Sequence, residues 1–228
     1  MNKCIAAAVL AATIGLAAVG PDAQAQAFPS KPLRIVIGFP PGGGIDIIAR
    51  LLGPKLAESM GQPVVVENRP GANGVIGTEL VAKAPADGHA VFLGTSGNLA
   101  MNPVFYPSLP FSMERDLAPV TQLASVSFLV LLNPAVPARN VAALIDYIKS
   151  NPGKVNYSSA GNGSTPHLAG ELFAQLTGAR AVHVPYKGSA PAMADLIAGQ
   201  VQFTYDAVAI ALPHVRSGKI RAIATTGP

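Results

Sequence analysis

The chain has 228 residues, of which 50% are hydrophobic and 12% are charged, and its net charge is +4. This composition excludes an intrinsically disordered chain. No run of five or more Lys or Arg is present, which argues against a nucleic-acid-binding surface. The mild basic bias favours the attraction of small anions.

Residues 1–27 are predicted to form a secretory signal peptide. A short positive end with Lys3 precedes an almost wholly apolar run, and both 23–25 and 25–27 match the small-x-small cleavage pattern. The run is short for a membrane span and lacks a basic stop after it. Cleavage after Ala25 or Ala27 removes Cys4, the single cysteine, so the exported chain cannot form a disulfide and its fold must rest on a hydrophobic core.

Strands and helices are predicted to alternate after the signal peptide. Strands are predicted at 33–39, 64–66, 89–93, 126–132, 155–158, 181–184, 201–205 and 220–225, and helices at 45–60, 76–84, 141–150, 166–176, 191–198 and 209–215. Residues 98–119 are predicted to form turns because prolines interrupt them. This alternation favours an α/β fold with mostly parallel sheets flanked by helices. A change of domain near 125–135 predicts a first α/β lobe over 28–130 and a second over 131–228.

The first candidate ligand loop follows the first predicted strand. Residues 34–50 pass from an apolar strand into prolines and three glycines, Gly42, Gly43 and Gly44, and then resume at helical spacing. The first N–H groups of a helix have no backbone partner, so a carboxylate or a phosphate can bind there. The loop fits neither a Walker A motif nor a dinucleotide fingerprint. A plain strand-to-helix turn capped by Asp46 is the alternative.

A second glycine loop, at 159–164, again joins a predicted strand to a predicted helix, with Ser164 or Thr165 as the cap. Ligands of open α/β sheets bind at the carboxyl ends of the strands, where both loops lie. We expect the two loops to face each other across a cleft and to hold the two ends of a compact dianion.

Several side chains could add contacts at this cleft, although ordinary capping or turn formation is the alternative for each. The hydroxyl candidates are Thr95, Ser96, Ser164 and Thr165. His167 lies in the first turn of a helix and can act as a neutral donor to an anion or pack structurally. Asp206 ends a predicted strand, where it can bind an ammonium group or a water, or cap the next helix.

Catalytic and metal sites find little support in the sequence. There is no His-x-x-x-His motif, no dense carboxylate cluster and no cysteine after the signal peptide, so neither a metal site nor a cofactor is expected. Ser164, His167 and Asp206 raise a periplasmic hydrolase as an alternative, but no Gly-x-Ser-x-Gly elbow holds the serine.

Several motifs in order resemble the extracytoplasmic solute-binding proteins of tripartite tricarboxylate transporters, the Bug family. They occupy residues 28–32, 39–46, 66–72, 159–168 and 183–188. The resemblance implies a two-lobed periplasmic binding protein of the Venus flytrap type, expected to be a monomer, that binds a small organic carboxylate. It implies delivery of that ligand to membrane permease subunits without chemistry. A partner that presents the ligand to a sensor kinase is a further alternative.

The resemblance also implies which residues bind the ligand, mainly through backbone N–H groups of two loops. The implied residues are Phe39, Gly42, Gly43, Gly44, Asp46, Ala160, Gly161, Gly163, Ser164, Thr165, His167 and Asp206. Thr95 and Ser96 complete the candidate set on the strength of their hydroxyl groups alone. Ile45 departs from the family, since many relatives carry a hydroxyl residue there, and this favours a more apolar ligand. Relatives also continue beyond the equivalent of Pro228 to complete the first lobe, so a C-terminal part is expected to be missing.

Overall fold

The computed structural model describes residues 27–227, so the predicted signal peptide lies outside the described residues except for Ala27. The chain from Lys31 onward forms one compact unit. Its strands are β1 (Leu33–Ile37), β2 (Val64–Asn68), β3 (Ala90–Leu93), β4 (Phe128–Leu132), β5 (Asn156–Ser159), β6 (Val182–Pro185), β7 (Phe203–Ala207) and β8 (Arg221–Thr225). Its α-helices are α1 (Gly44–Met60), α2 (Val75–Ala82), α3 (Ser96–Leu99), α4 (Asn102–Phe105), α5 (Met113–Asp116), α6 (Val141–Ser150), α7 (Thr165–Thr177), α8 (Ser189–Ile197) and α9 (Val208–Arg216).

The strands form two sheets, which confirms the predicted α/β class. The first sheet has the order β2-β1-β3, with both neighbours parallel to β1. The second has the order β6-β5-β7-β4-β8; β5 is parallel to β6 and β7, whereas β4 is antiparallel to β7 and β8. The predicted boundary between lobes at residue 130 falls within β4, the first strand of the second sheet, and the division itself stays a prediction.

The second sheet is covered on both faces. Val130 and Leu132 of β4 belong to one core cluster, whereas Leu131 between them belongs to another. Successive side chains of a strand point to opposite faces, so apolar cores lie on both sides of β4. This double burial accounts for the uninterrupted apolar run in the sequence.

The prediction of turns alone over 98–119 is wrong, because three short helices lie between Ser96 and Asp116. Thr95 starts α3 through a capping box with Asn98, and Pro103 lies in the first turn of α4, where its missing N–H costs no helical hydrogen bond. Helices this short, stabilised by local caps, contain too few residues to show a repeating apolar pattern in the sequence. Among residues 27–227, no helix is long and apolar enough to cross a membrane.

Candidate functional site

The first glycine loop turns sharply between β1 and α1. Gly42 has a φ of 85°, a conformation that favours glycine, and Gly43 is the extended N-cap of α1. The amide of Gly42 donates to Oδ2 of Asp46, 3.0 Å away. Asp46 therefore lies in the first turn and holds the loop, while Gly43 occupies the cap position.

Asp46 is the centre of a buried network that fixes this loop. Arg50 Nε donates to its Oδ2 at 2.9 Å, and Asn68 Nδ2 donates to its Oδ1 at 3.0 Å. Asn68 Nδ2 also lies 3.1 Å from the carbonyl of Phe39, so the end of β2 holds both sides of the loop. Burial acts to raise the pKa of Asp46, but the hydrogen bonds from Arg50, Gly42 and Asn68 outweigh it and lower that pKa.

The start of α1 leaves backbone donors available. Within residues 27–227, the amides of Gly43, Gly44 and Ile45 have no hydrogen-bond partner; the first of the α1 residues to bond back is Ile47, to the carbonyl of Gly43. These donors coincide with the positive end of a 17-residue helix. The first loop therefore offers what the sequence predicts, a set of free N–H groups for an anion.

The second glycine loop differs, because its own side chains and carbonyls use several of its amides. Gly161 donates to Ser159 Oγ at 3.1 Å, and Gly163 donates to His167 Nδ1 at 3.1 Å. The amide of Ser164 bonds to the carbonyl of Gly161, and its hydroxyl donates to the same carbonyl at 2.6 Å rather than capping α7. The expectation of free amides is thus wrong for Gly161, Gly163 and Ser164.

Three amides of this segment remain unpaired in the described part of the chain, those of Ala160, Asn162 and Thr165. Ala160 lies half-buried at the end of β5, and Gly163 and Ser164 are buried. Thr95 uses its hydroxyl in the capping box of α3, whereas Ser96, the first residue of that helix, is exposed.

Elements of the two sheets meet at the carboxyl ends of their strands. A Cβ on Gly97 would lie 2.9 Å from both the N and the Oγ1 of Thr165, and a Cβ on Gly44 would lie 3.5 Å from Cβ of Ala207. The start of α3 therefore touches the start of α7, and the start of α1 touches the end of β7. The helix that follows the first glycine loop thus contacts β7 of the second sheet. The helix that follows the second glycine loop contacts α3, which follows β3 of the first sheet.

Asp206 lies near this contact, at the end of β7. It is 3% exposed, and its Oδ1 accepts from the amide of Ala207 at 2.7 Å and from Ser189 Oγ at 3.3 Å. Burial raises the pKa of Asp206 to about 6, against the lowering effect of these two hydrogen bonds. The site thus contains a carboxyl group whose ionised form is disfavoured.

The structure does not assemble the Ser164, His167 and Asp206 group as a catalytic triad. Ser164 Oγ bonds to the carbonyl of Gly161, His167 Nδ1 accepts from Gly163, and Asp206 bonds to Ser189 and Ala207. Among the described residues, no group of three or more His, Cys, Asp or Glu side chains could hold a metal ion.

Two surface cavities, of about 410 and 560 Å³, are lined by residues outside both glycine loops.

Sequence reasoning missed the residues that support the loops. Arg50 and Asn68 hold Asp46, and Asn73 Nδ2 donates to Asn102 Oδ1 at 2.8 Å beside the carbonyl of Gly97. Asn73 also has a φ of 50°, which is uncommon for a residue other than glycine. The spacing of Asp46 and Arg50, four residues apart in a predicted helix, was the one signal available for such a pair.

Solved structures with the same architecture are periplasmic binding proteins. An R. palustris protein solved with adipate superposes with a TM-score of 0.85 at 38% identity, covering 87% of this chain and 67% of that chain. MatC from Rhodopseudomonas palustris with bound malate gives 0.82 at 30% identity, covering 88% and 68%. The periplasmic binding protein BugD gives 0.82 at 33% identity, covering 88% of this chain and 67% of that chain. The fold is therefore that of a periplasmic binding protein, as predicted.

The sequence profile of the tripartite tricarboxylate transporter family receptor, TctC, matches residues 48–228. BugT of Bordetella pertussis is 40% identical over 225 residues, which cover 98% of this chain and 69% of that protein. A UPF0065 protein of Pseudomonas sp. strain P51 is 40% identical over 218 residues, covering 94% of this chain and 65% of its own length. The chain belongs to the TctC family of solute-binding proteins, which confirms the family resemblance, and it spans about two thirds of the length of these relatives.

Proposed function

We propose that this chain binds a small dicarboxylate where the loops of its two sheets meet. The observation that carries the proposal is the set of unpaired amides at Gly43, Gly44 and Ile45, placed where α1 touches the end of β7. A charge-assisted hydrogen bond contributes about 1.5 to 3 kcal/mol, so a few such donors can hold a carboxylate without a cationic side chain.

The ligand class follows from chemistry and from the relatives. Backbone amides recognise a carboxylate, and amides on two loops can hold two carboxylates of one molecule. The two relatives solved with adipate and with malate hold dicarboxylic acids. Ile45, at the start of α1, packs only in part against the core of the first sheet, so we expect its remaining apolar surface to favour adipate, with its longer apolar centre, over malate.

The proposed role is transport without chemistry. The ligand would pass to the permease subunits of a tripartite tricarboxylate transporter, in the periplasm, after removal of the predicted signal peptide. The receptor would act as a monomer. The separation of Ser164 from His167 in the hydrogen-bond network supports a binding protein over the hydrolase alternative.

A ligand panel tests this proposal by thermal denaturation. Free ligand at about 100 times its dissociation constant stabilises a folded protein by about 2.7 kcal/mol, which is about 5 to 11 °C in melting temperature for a chain of this size. Adipate and malate should raise the melting temperature, whereas hexanoate, which lacks the second carboxylate of adipate, should have much less effect. An unchanged melting temperature with adipate, malate, succinate and citrate contradicts the proposal.

A matched pair of variants tests the role of the amides themselves. Gly43 has a φ of −82°, which proline can adopt, and a Cβ there meets nothing closer than the carbonyl of Pro40 at 4.0 Å. Gly43→Pro removes one donor and should weaken adipate binding by about 10- to 150-fold. Gly43→Ala keeps the N–H and should bind adipate as the unaltered chain does. Equal affinities of the two variants would exclude this amide from the site.

A further inference from the structure

The second glycine loop contains a side chain placed where a ligand oxygen is expected. His167 Nδ1 lies 3.1 Å from the amide nitrogen of Gly163 and accepts its hydrogen. An acceptor nitrogen carries no proton, so this hydrogen bond requires the form of the ring with its proton on Nε2. The imidazole nitrogen therefore accepts the hydrogen bond of this amide, as an oxygen of a ligand anion would.

The ring is supported in this position from one side. His167 stacks on His183, with ring centroids 4.1 Å apart, and His183 stacks in turn on Tyr157 at 4.9 Å. His183 Nε2 lies 2.6 Å from Ser159 Oγ, the hydroxyl that also accepts from the amide of Gly161. Burial is the main cause that lowers the pKa of His183 to about 4, so His183 is neutral at physiological pH.

Three side chains surround Gly163, and among the described residues His167 alone accepts from its amide. Gly163 is buried, and a Cβ there would lie 3.1 Å from Asn73 Nδ2 and 3.4 Å from the ring of Phe105. His167 is only partly buried, and Phe105 faces it at 6.4 Å between ring centroids. On either side of Gly163, the amides of Asn162 and Thr165 have no partner within residues 27–227.

We propose that His167 competes with the ligand carboxylate for the amide of Gly163, so that binding requires this side chain to give up its hydrogen bond and rotate away. The inference rests on the proposed function. A carboxylate oxygen is the stronger acceptor because it is charged. Once His167 has moved, Gly163 joins the amides of Asn162 and Thr165 as a donor, and the second loop then presents a group of N–H donors comparable to that at α1.

The sign of one affinity change distinguishes this role from direct contact between His167 and the ligand. His167→Phe keeps an aromatic ring for the stack on His183 but removes the acceptor. Competition predicts about 2- to 12-fold tighter binding of adipate, the range that one neutral hydrogen bond represents. His167→Asn can restore an acceptor through Oδ1 and should bind adipate more weakly than His167→Phe does. His214→Phe, on α9, is the matched control and should leave the affinity unchanged.

NMR of the Gly163 amide gives two further readouts, and the first, measured on the unaltered chain, does not depend on the folding of a variant. In the unaltered chain, adipate should change the Gly163 amide shift and the His167 ring nitrogen shifts together. In His167→Phe, the Gly163 amide should exchange faster without adipate and be protected by it. Weaker or equal adipate binding by His167→Phe overturns the competition, as does a Gly163 amide that adipate leaves unchanged. If the unaltered chain binds neither adipate nor malate, the proposed function itself fails, and this inference fails with it.

Discussion

Asn68 at the end of β2 donates through its side-chain amide to Asp46 Oδ1 in the first turn of α1, at 3.0 Å. The same nitrogen lies 3.1 Å from the carbonyl of Phe39, which precedes the glycines. One side chain therefore fixes both ends of the first ligand loop. The Asp46 carboxylate is itself an anion, and its oxygens accept the hydrogen bonds of this network. We therefore infer that Asp46 positions the loop and does not contact a ligand anion.

Asn68→Ala should lower both stability and ligand affinity. The substitution leaves Oδ1 of a buried carboxylate unpaired, which costs about 1 to 3 kcal/mol of the free energy of unfolding. The loop that presents Gly43 and Gly44 also loses its support, so adipate should bind more weakly. Chemical denaturation and calorimetric titration with adipate measure the two effects.

Asn140→Ala provides the matched control for Asn68→Ala. Asn140 caps α6, where its Oδ1 accepts from the amide of Ala143 at 2.8 Å, and this hydrogen bond involves no residue of either ligand loop. Loss of the cap should cost about 0.5 to 2 kcal/mol of stability and leave adipate affinity unchanged. If both variants lose stability but neither loses affinity, Asn68 has no part in positioning the loop.

Much of this fold could be predicted from the sequence, because apolar residues recur at the spacing of a helix or a strand over its longer elements. The predicted α6 matches its observed bounds, Val141–Ser150, since an amphipathic period and the Asn140 cap agree there. The antiparallel direction of β4 could not be predicted. A strand buried on both faces has the same apolar pattern whichever way it runs, and its direction depends on pairing with β7 and β8.

The candidate site was less predictable than the fold because glycine loops reveal available donors but not which of them are used. At α1 the amides of Gly43 and Gly44 are unpaired as the glycine pattern indicated, whereas that of Gly42 donates to Asp46. At α7, the amides of Gly161 and Gly163 are taken by Ser159 and His167, and this depends on side-chain rotamers that no spacing rule specifies.

Asp206 predicts a specific pH dependence of stability. Its pKa of about 6 in the folded protein lies above the usual aspartate value of 3.8, so between these pH values the folded state keeps a proton that the unfolded state has lost. This favours folding below about pH 4, and the contribution is lost as the pH rises to about 6. Asp206→Asn should therefore be more stable than the unaltered chain at pH 7, by about 2 to 3 kcal/mol, with the difference vanishing near pH 4.

Denaturant titrations at pH 4, 5, 6 and 7 measure this difference. Asp146→Asn, on the exposed face of α6, is the control and should shift stability by less than about 0.5 kcal/mol at every pH. A constant gap between Asp206→Asn and the unaltered chain from pH 4 to pH 7 would show that ionisation of Asp206 has no effect on folding.

Gly97→Ala tests whether the contact between the two sheets matters for binding. The new Cβ would lie 2.9 Å from the backbone nitrogen of Thr165, which cannot move independently of α7. Overpacking of this kind costs about 1 to 3 kcal/mol. The starts of α3 and α7 must move apart to relieve it, so adipate affinity should fall together with the melting temperature.

Gly53→Ala is the counterpart with space for the added methyl group. Gly53 lies inside α1, and a Cβ there would make ordinary contacts of 3.7 and 3.8 Å with Val64 and Val66. Alanine is a better helix former than glycine, so this variant should gain about 0.5 to 1 kcal/mol and bind adipate normally. Melting curves and adipate titrations of the two variants decide the point. If Gly97→Ala behaves like Gly53→Ala in both, the close approach of Gly97 to Thr165 does not shape the ligand site.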